Sequence, residues 1–168
     1  HLNWATWLFQ DLVQQRLGGR NPFGNIGVAY QGSSDDAALN AGVARYAADP
    51  QAKGALAADS QPTGRTALPT VALHAIDDPT AFVELENAYR RIRDAAGTGG
   101  TLVQSFSAER EHSYLSDSEY PALFEALMDW IDKGEKPTPA SLAQRCAALM
   151  PRYGTDGRNG CHIKPEWQ

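Results

Sequence analysis

The chain has 168 residues, of which 42% are hydrophobic and 21% are charged, as is ordinary for one soluble globular domain with a sizeable core. The formal net charge of −5 argues against binding to a nucleic acid. No apolar run approaches the roughly 18 residues of a membrane span, so we expect none. The chain starts with His1 and shows no signal-peptide pattern, so we expect a processed product or a fragment.

The first 68 residues predict short helices joined by loops. Residues 3–17 place apolar side chains, Trp4 and Trp7 among them, at roughly helical spacing, and two glycines follow. Residues 20–33 have the composition of a loop. Another short helix is predicted from Pro50 to Ala58.

Residues 33–49 between them predict a further helix, with Ser33 or Ser34 as its N-cap. Asp35 and Asp36 then lie in its first turn, where the helix dipole favours negative charge. We therefore interpret both aspartates as capping residues rather than catalytic groups.

The pattern changes at residue 69 to strand, helix, strand. Residues 70–76 and 101–106 are short apolar runs, and residues 80–96 predict an amphipathic helix between them. Short connections in this order are typical of a parallel sheet. A second amphipathic helix follows at 119–134. We predict an α/β fold, and because parallel sheets usually contain more strands, part of a larger sheet.

Acidic and basic groups follow the two predicted strands. Asp77 and Asp78 come directly after the first strand, and His112 lies in the loop after the second. The carboxyl ends of parallel strands meet at one edge of a sheet, where ligands bind in such folds. An aspartate that accepts from an imidazole N–H leaves the other ring nitrogen as a general base.

Residues 69–137 resemble the C-terminal part of an α/β-hydrolase-fold enzyme. The resemblance rests on "LHAIDDP", where Ala75 stands in place of the usual Gly, on "TLVQSFSAEREHSYL", and on the closing helix with Trp130 and Gly134. It implies that Asp78 is the catalytic acid and His112 the catalytic base. Residues 1–68 fall where such enzymes insert a helical lid.

The nucleophile elbow Gly-x-Ser-x-Gly of that family is missing from the chain. The resemblance therefore implies that an upstream polypeptide carries the nucleophile Ser and the oxyanion hole. We expect this chain alone to be inactive.

Each candidate also has a plainer interpretation. Asp78 could form a turn or cap the following helix, Asp77 is the competing acid, and His112 could be a solvated loop residue.

His74 is expected to pack and bond to backbone, and His162 to be exposed. Tyr114, Trp4 and Trp7 could line an acyl pocket or belong to the core. Ser33 is the weakest candidate, as a substitute nucleophile.

Two cysteines, Cys146 and Cys161, flank a polar, glycine-rich segment. We predict a disulfide between them, worth about 3 kcal/mol, in a secreted or periplasmic protein. The alternative is two free thiols in a cytosolic chain. Their spacing lacks a paired C-x-x-C, which argues against zinc.

The sequence as a whole predicts the lid and acid/base segment of a serine hydrolase that acts on a small-molecule or peptide acyl substrate without a cofactor. One alternative is a non-enzymatic interaction domain with a degenerate hydrolase-like fold. Another is a metal catalyst, for which Asp78 and His112 lack a third clustered ligand.

Overall fold

The computed structural model describes residues 2–153 and 160–167. The described residues form a mixed α/β protein with six α-helices and a two-stranded parallel sheet. Contacts divide the chain into two compact units, His1–Gln61 and Pro62–Gln168, whereas the sequence predicts a boundary after residue 68. No helix in the described part combines the length and apolar character that a membrane crossing needs.

The first unit contains three helices. Helix α1, Leu2–Gln10, continues as a π-helical segment, Asp11–Arg16, and Gly18 then turns the chain with φ of 61°. Helix α2 spans Asp36–Gly42 and α3 spans Pro50–Ser60. The side chain of Trp4 lies outside the described residues, and Trp7 is 70% exposed, so Trp7 is not a core residue of this unit.

Helix α2 is much shorter than the helix predicted over residues 33–49, and its N-cap is Asp35 instead of Ser33 or Ser34. The Asp35 carboxylate accepts from the amide of Ala38 at 2.9 Å. The helix ends at Gly42 because the chain beyond it binds the preceding loop. The Arg45 guanidinium donates to the carbonyl oxygen of Val28 at 2.6 Å.

The second unit alternates strands and helices. Its elements in chain order are β1 (Thr70–Ala75), α4 (Glu84–Ala95), β2 (Leu102–Ser107), α5 (Glu119–Lys133) and α6 (Pro139–Tyr153). The strands pair in parallel from Thr70 opposite Leu102 to Ala75 opposite Ser107. The predicted strand, helix, strand order with parallel pairing is thus confirmed. Helix α5 ends at Gly134, whose φ of 74° is left-handed.

Helices cover both faces of the sheet. On one face, Val103 packs with Ala122 and Ala126 of α5 and with Leu142 of α6 to form the core. Neighbouring side chains of a strand point to opposite faces, and Gln104 accordingly contacts α4 through the backbone oxygen of Glu86 at 2.8 Å. The sheet therefore lies between α4 on one side and the α5–α6 pair on the other.

Residues 160–164 return to the sheet after α6. Ile163 forms an antiparallel bridge with Ser107, and the amide of Lys164 donates to the carbonyl of Phe106 at 2.7 Å. The Trp167 ring packs on Phe106 with centroids 5.5 Å apart. This tail thus covers the carboxyl end of β2.

Arg93 of α4 is a fully buried arginine with no exposed surface. Its guanidinium donates to backbone and hydroxyl oxygens, among them the carbonyl of Thr66 at 3.1 Å and Oγ1 of Thr101 at 2.6 Å. It also reaches Oγ1 of Thr70, the first residue of β1, at 3.4 Å. One side chain thus connects α4 to the segments that precede both strands.

We predict that Arg93→Met lowers the free energy of unfolding by about 3 kcal/mol, because it leaves buried oxygens without donors. Arg93→Lys should lose less, since an ammonium keeps the charge but offers fewer donors. Urea unfolding monitored by circular dichroism measures both. The control is Arg91→Met, an exposed position of the same helix; equal losses at the two positions would contradict the role of Arg93.

Candidate functional site

The candidate site lies at the carboxyl edge of the two strands. The ladder extends one step past β1, where the amide of Ile76 donates to the carbonyl of Ser107 at 2.9 Å. The chain then turns, and the amide of Asp78 faces the carbonyl of Ala75 at 3.3 Å. Parallel pairing therefore delivers the residues after both strands to the same edge.

Asp78 and His112 contact each other at this edge. Nδ1 of His112 lies 3.0 Å from Oδ2 and 3.1 Å from Oδ1 of Asp78, although 34 residues separate them. The predicted contact is therefore present. The carboxylate can only accept when ionised, so this geometry favours a proton on Nδ1 and an unprotonated Nε2 in the neutral ring.

The carboxylate of Asp78 is well satisfied and only 7% exposed. Oδ1 also accepts from the amides of Thr80 at 2.7 Å and Ala81 at 2.9 Å. Burial by itself raises the pKa of this carboxyl, but the Ala81 amide, the His112 ring and the Thr80 amide outweigh it and lower the pKa to about 2. Asp78 is therefore ionised at neutral pH. It shapes this turn rather than capping α4, which begins at Glu84.

Asp77 behaves differently from its neighbour. Its side chain is 59% exposed, and its Oδ2 lies 3.5 Å from Nε of Arg110, which is 83% exposed. A surface pair of this kind contributes little. The structure thus separates the two acids: one contacts the imidazole and the other faces solvent.

His112 presents its other edge to open space. The ring is 46% exposed, and Nε2 makes no hydrogen bond to the residues that the structure describes. Asp78, His112 and Tyr114 border a cavity of about 300 Å³. A larger cavity of about 740 Å³ lies along α4 and β2, but neither Asp78 nor His112 borders it, so we take the smaller cavity as the candidate site.

The residue after His112 has a strained backbone. Ser113 has φ of 59°, a left-handed conformation that costs a residue with a side chain roughly 1–2 kcal/mol. Such strain is often stored at functional sites. Here it turns the chain sharply at the residue after the histidine.

A buried glutamate supports the loop that carries His112. Glu119 has no exposed surface, and its carboxylate accepts from the Ser107 hydroxyl, the Ser116 amide and the His162 amide at 3.0, 3.1 and 3.0 Å. Burial raises the pKa of this carboxyl, partly offset by these donors. Glu119 therefore joins the end of β2, the end of the loop and the tail at one point.

The remaining candidates lie apart from this contact. His74 bonds to backbone as predicted, through Nε2 and the carbonyl of Ala81 at 2.8 Å. His162 is 43% exposed, as expected, with Nε2 3.8 Å from Glu109. Ser33 donates its hydroxyl to Asp36 at 2.6 Å within the first unit. Sequence reasoning missed Glu119. The only signal that the sequence offers for this residue is its place in the first turn of a predicted helix.

The two cysteines are free in this structure, so the predicted disulfide is not formed in it. Cys161 nevertheless packs against the core cluster that contains Cys146, and burial together with Cys161 raises the pKa of Cys146 to about 12. Cys146 is fully buried and Cys161 is partly buried. The Cys146 thiol lies 3.6 Å from the hydroxyl of Ser118, the residue that precedes α5.

Comparison with known proteins adds no family: no family model, curated protein or solved structure matches the chain. Among the described residues, no cluster of three or more His, Cys, Asp or Glu side chains is placed to hold a metal ion. The evidence for function is therefore the site geometry itself.

The low pKa of Asp78 predicts a pH dependence of stability. Because the pKa is about 2 in the folded chain against an ordinary 3.8, the unfolded state binds more protons between these values. The stability from ionised Asp78 should be complete above about pH 4 and disappear as the pH falls toward about 2.

Urea unfolding of the wild type and of Asp78→Asn between pH 6 and pH 2 measures this contribution. The difference between them should be constant above about pH 4 and shrink below it. Asp77→Asn is the matched control and should stay within about 0.5 kcal/mol of the wild type. A difference that grows as the pH falls would contradict an ionised Asp78.

The packing of Cys161 against the cluster that contains Cys146 predicts that the two cysteines pair under oxidising conditions. The bond should stabilise the fold by about 3 kcal/mol, and alkylation without reductant should then add no mass. After reduction, two alkyl groups should be added. Two reactive thiols in a sample refolded with glutathione disulfide would refute the pairing, and Cys161→Ser is the control for the stability measurement.

Proposed function

We propose that the second unit supplies the acid and the base of a serine hydrolase. The observation that carries the proposal is the contact of 3.0 Å between Asp78 and Nδ1 of His112, with Nε2 free of described partners beside a cavity. An imidazole fixed in this way is the general base of triad chemistry. Asp78 would hold the tautomer and stabilise the imidazolium that forms during the reaction.

The proposed reaction is acyl transfer to water. Nε2 of His112 takes the hydroxyl proton of a serine while the serine oxygen attacks the ester or amide carbonyl. The imidazolium then gives that proton to the leaving group, and water repeats the sequence to release the acid. The serine and the oxyanion-hole amides would come from an upstream polypeptide, since residues 69–137 resemble only the part of an α/β-hydrolase that carries acid and base.

The sheet supports the need for a partner polypeptide. Within residues 2–153 and 160–167, strand β1 pairs with β2 alone, and all its residues except Ala75 remain partly exposed. Parallel sheets are normally covered and extended by further strands. The order of acid and then histidine after successive strands is that of α/β-hydrolases, and in this proposal the first unit corresponds to the lid.

A second candidate is a binding module without chemistry. Large apolar side chains are exposed on the second unit, with Leu68 at 73%, Phe124 at 66% and Leu85 at 60%. Apolar surface of this kind can mark an interaction site. It fits the hydrolase proposal as well, and a covalent probe separates the two.

We predict that a fluorophosphonate probe labels no serine of the purified chain, and that the chain hydrolyses p-nitrophenyl esters no faster than an imidazole background. In protein isolated from its native source, the probe should label a serine outside this sequence. The polypeptide that carries this serine should stay associated with the chain in native mass spectrometry. Stoichiometric labelling of a serine within the chain would overturn the proposal that the nucleophile lies on another polypeptide. The absence of any labelled companion would favour the binding module.

The acid is tested in the same assembly prepared without the probe, because the probe blocks the serine that it labels. Asp78→Asn should lower kcat/KM by roughly 10⁴-fold, because the imidazole loses the anion that fixes its tautomer. Asp77→Asn, its exposed neighbour, should change it less than about twofold. Equal losses at both positions would break the assignment of Asp78.

A further inference from the structure

We propose that His74 is a positioning residue for Asp78, acting through the backbone of Ala81. The inference rests on the proposed function for the role of Asp78, whereas the positioning is a property of this chain alone. Neither the sequence pattern nor the triad chemistry assigns His74 such a role. The proposal rests on the contacts of His74, of Ala81 and of Glu86.

His74 lies near the carboxyl end of β1, on the face that α4 covers. Its side chain is only 16% exposed. Nε2 lies 2.8 Å from the carbonyl oxygen of Ala81, and because a carbonyl only accepts, Nε2 carries the proton in this contact. Nδ1 lies 3.3 Å from the carboxylate of Glu86 in α4. Because a carboxylate only accepts, this second contact is a hydrogen bond only when both ring nitrogens carry protons, whereas the bond to Ala81 needs the Nε2 proton alone.

Ala81 is held from two sides. Its carbonyl accepts from His74, and its amide donates to Oδ1 of Asp78 at 2.9 Å. Residues 77–83 contain no helix or strand, so no strand ladder fixes this turn. The imidazole of His74 therefore supplies a fixed point for the peptide that orients the carboxylate of Asp78.

Glu86, which lies beside the His74 ring, is itself held by a side chain of β2. The second carboxylate oxygen of Glu86 accepts from Nε2 of Gln104 at 2.6 Å, and the side-chain oxygen of Gln104 accepts from Nε of Arg90 at 3.0 Å. These bonds connect β2 to α4 on the face away from the apolar core. A series of contacts thus connects Asp78 to the centre of the sheet and not only to the surface turn.

A histidine that only fills space would not need these contacts. A ring of the same size would pack equally well between β1 and α4 without a donor toward Ala81. The proposal therefore predicts that the donor of His74, and not its volume, determines how firmly Asp78 holds His112. The proton position on His112 reports this directly.

Long-range ¹H–¹⁵N spectra of the purified chain near pH 8 show which nitrogen of neutral His112 carries the proton. In the wild type we expect the Nδ1–H form, which donates to Asp78. His74→Phe keeps a ring but removes the donor, and should reduce the ratio of Nδ1–H to Nε2–H by roughly fivefold, the worth of about one neutral hydrogen bond. His74→Gln retains an N–H and should recover most of the ratio.

Three comparisons keep the test decisive. His162→Phe is the matched control, because the His162 side chain is 43% exposed, and it should leave the ratio unchanged. His74→Leu removes the donor without introducing a larger ring and should lower the ratio even if His74→Phe does not fold. An unchanged ratio in a folded His74→Phe or His74→Leu variant would overturn the proposal. If the probe labels no companion serine, the hydrolase proposal is refuted, but the effect of His74 on the tautomer of His112 still stands.

Discussion

The buried guanidinium of Arg93 is the constraint on which the sheet depends. It reaches Thr70 at the start of β1 and Thr101 just before β2, and so fixes where both strands begin. Two parallel strands of equal length that begin together also end together, with Ala75 opposite Ser107. A slip of one residue would send every side chain of a strand to the other face. The contact at the carboxyl edge is therefore set by an interaction at the opposite end of the sheet.

The acid and the base of the site have opposite environments. The carboxylate of Asp78 is almost buried but is saturated by donors, which keeps it ionised despite the cost of burial. The imidazole of His112 is half exposed, and its Nε2 edge makes no hydrogen bond within the described part of the chain. A fixed anion behind an accessible ring is what a general base needs, since the proton that arrives at Nε2 creates a charge that the anion already compensates. This asymmetry distinguishes the pair from a surface ion pair such as Arg110 with Asp77, where both groups face solvent.

The sequence predicted the strands and the contact between Asp78 and His112 because both follow from local patterns: apolar runs, a crossover helix and polar residues at strand ends. It failed where distant groups decide a local structure. The predicted helix over 33–49 stops at Gly42 because Arg45 binds a loop about twenty residues earlier, which no periodicity records. The link between His74 and Glu86 was invisible for the same reason, since a histidine within an apolar strand gives no sign of its partners.

The loop of His112 is held near the start of α5 by Glu119 and at its apex by Asp78. Beyond the apex, Glu119 ties the Ser116 amide to the end of β2, and a buried carboxylate with a raised pKa can persist there only because those donors compensate for its desolvation. At the apex, Ser113 is strained, and strain persists only where the surroundings over-determine the backbone. The bond from His112 to Asp78 is the described contact that opposes this strain. Asp78 therefore orients the imidazole and also holds the strained turn closed, so the orientation of the His112 ring and the order of its loop depend on one carboxylate.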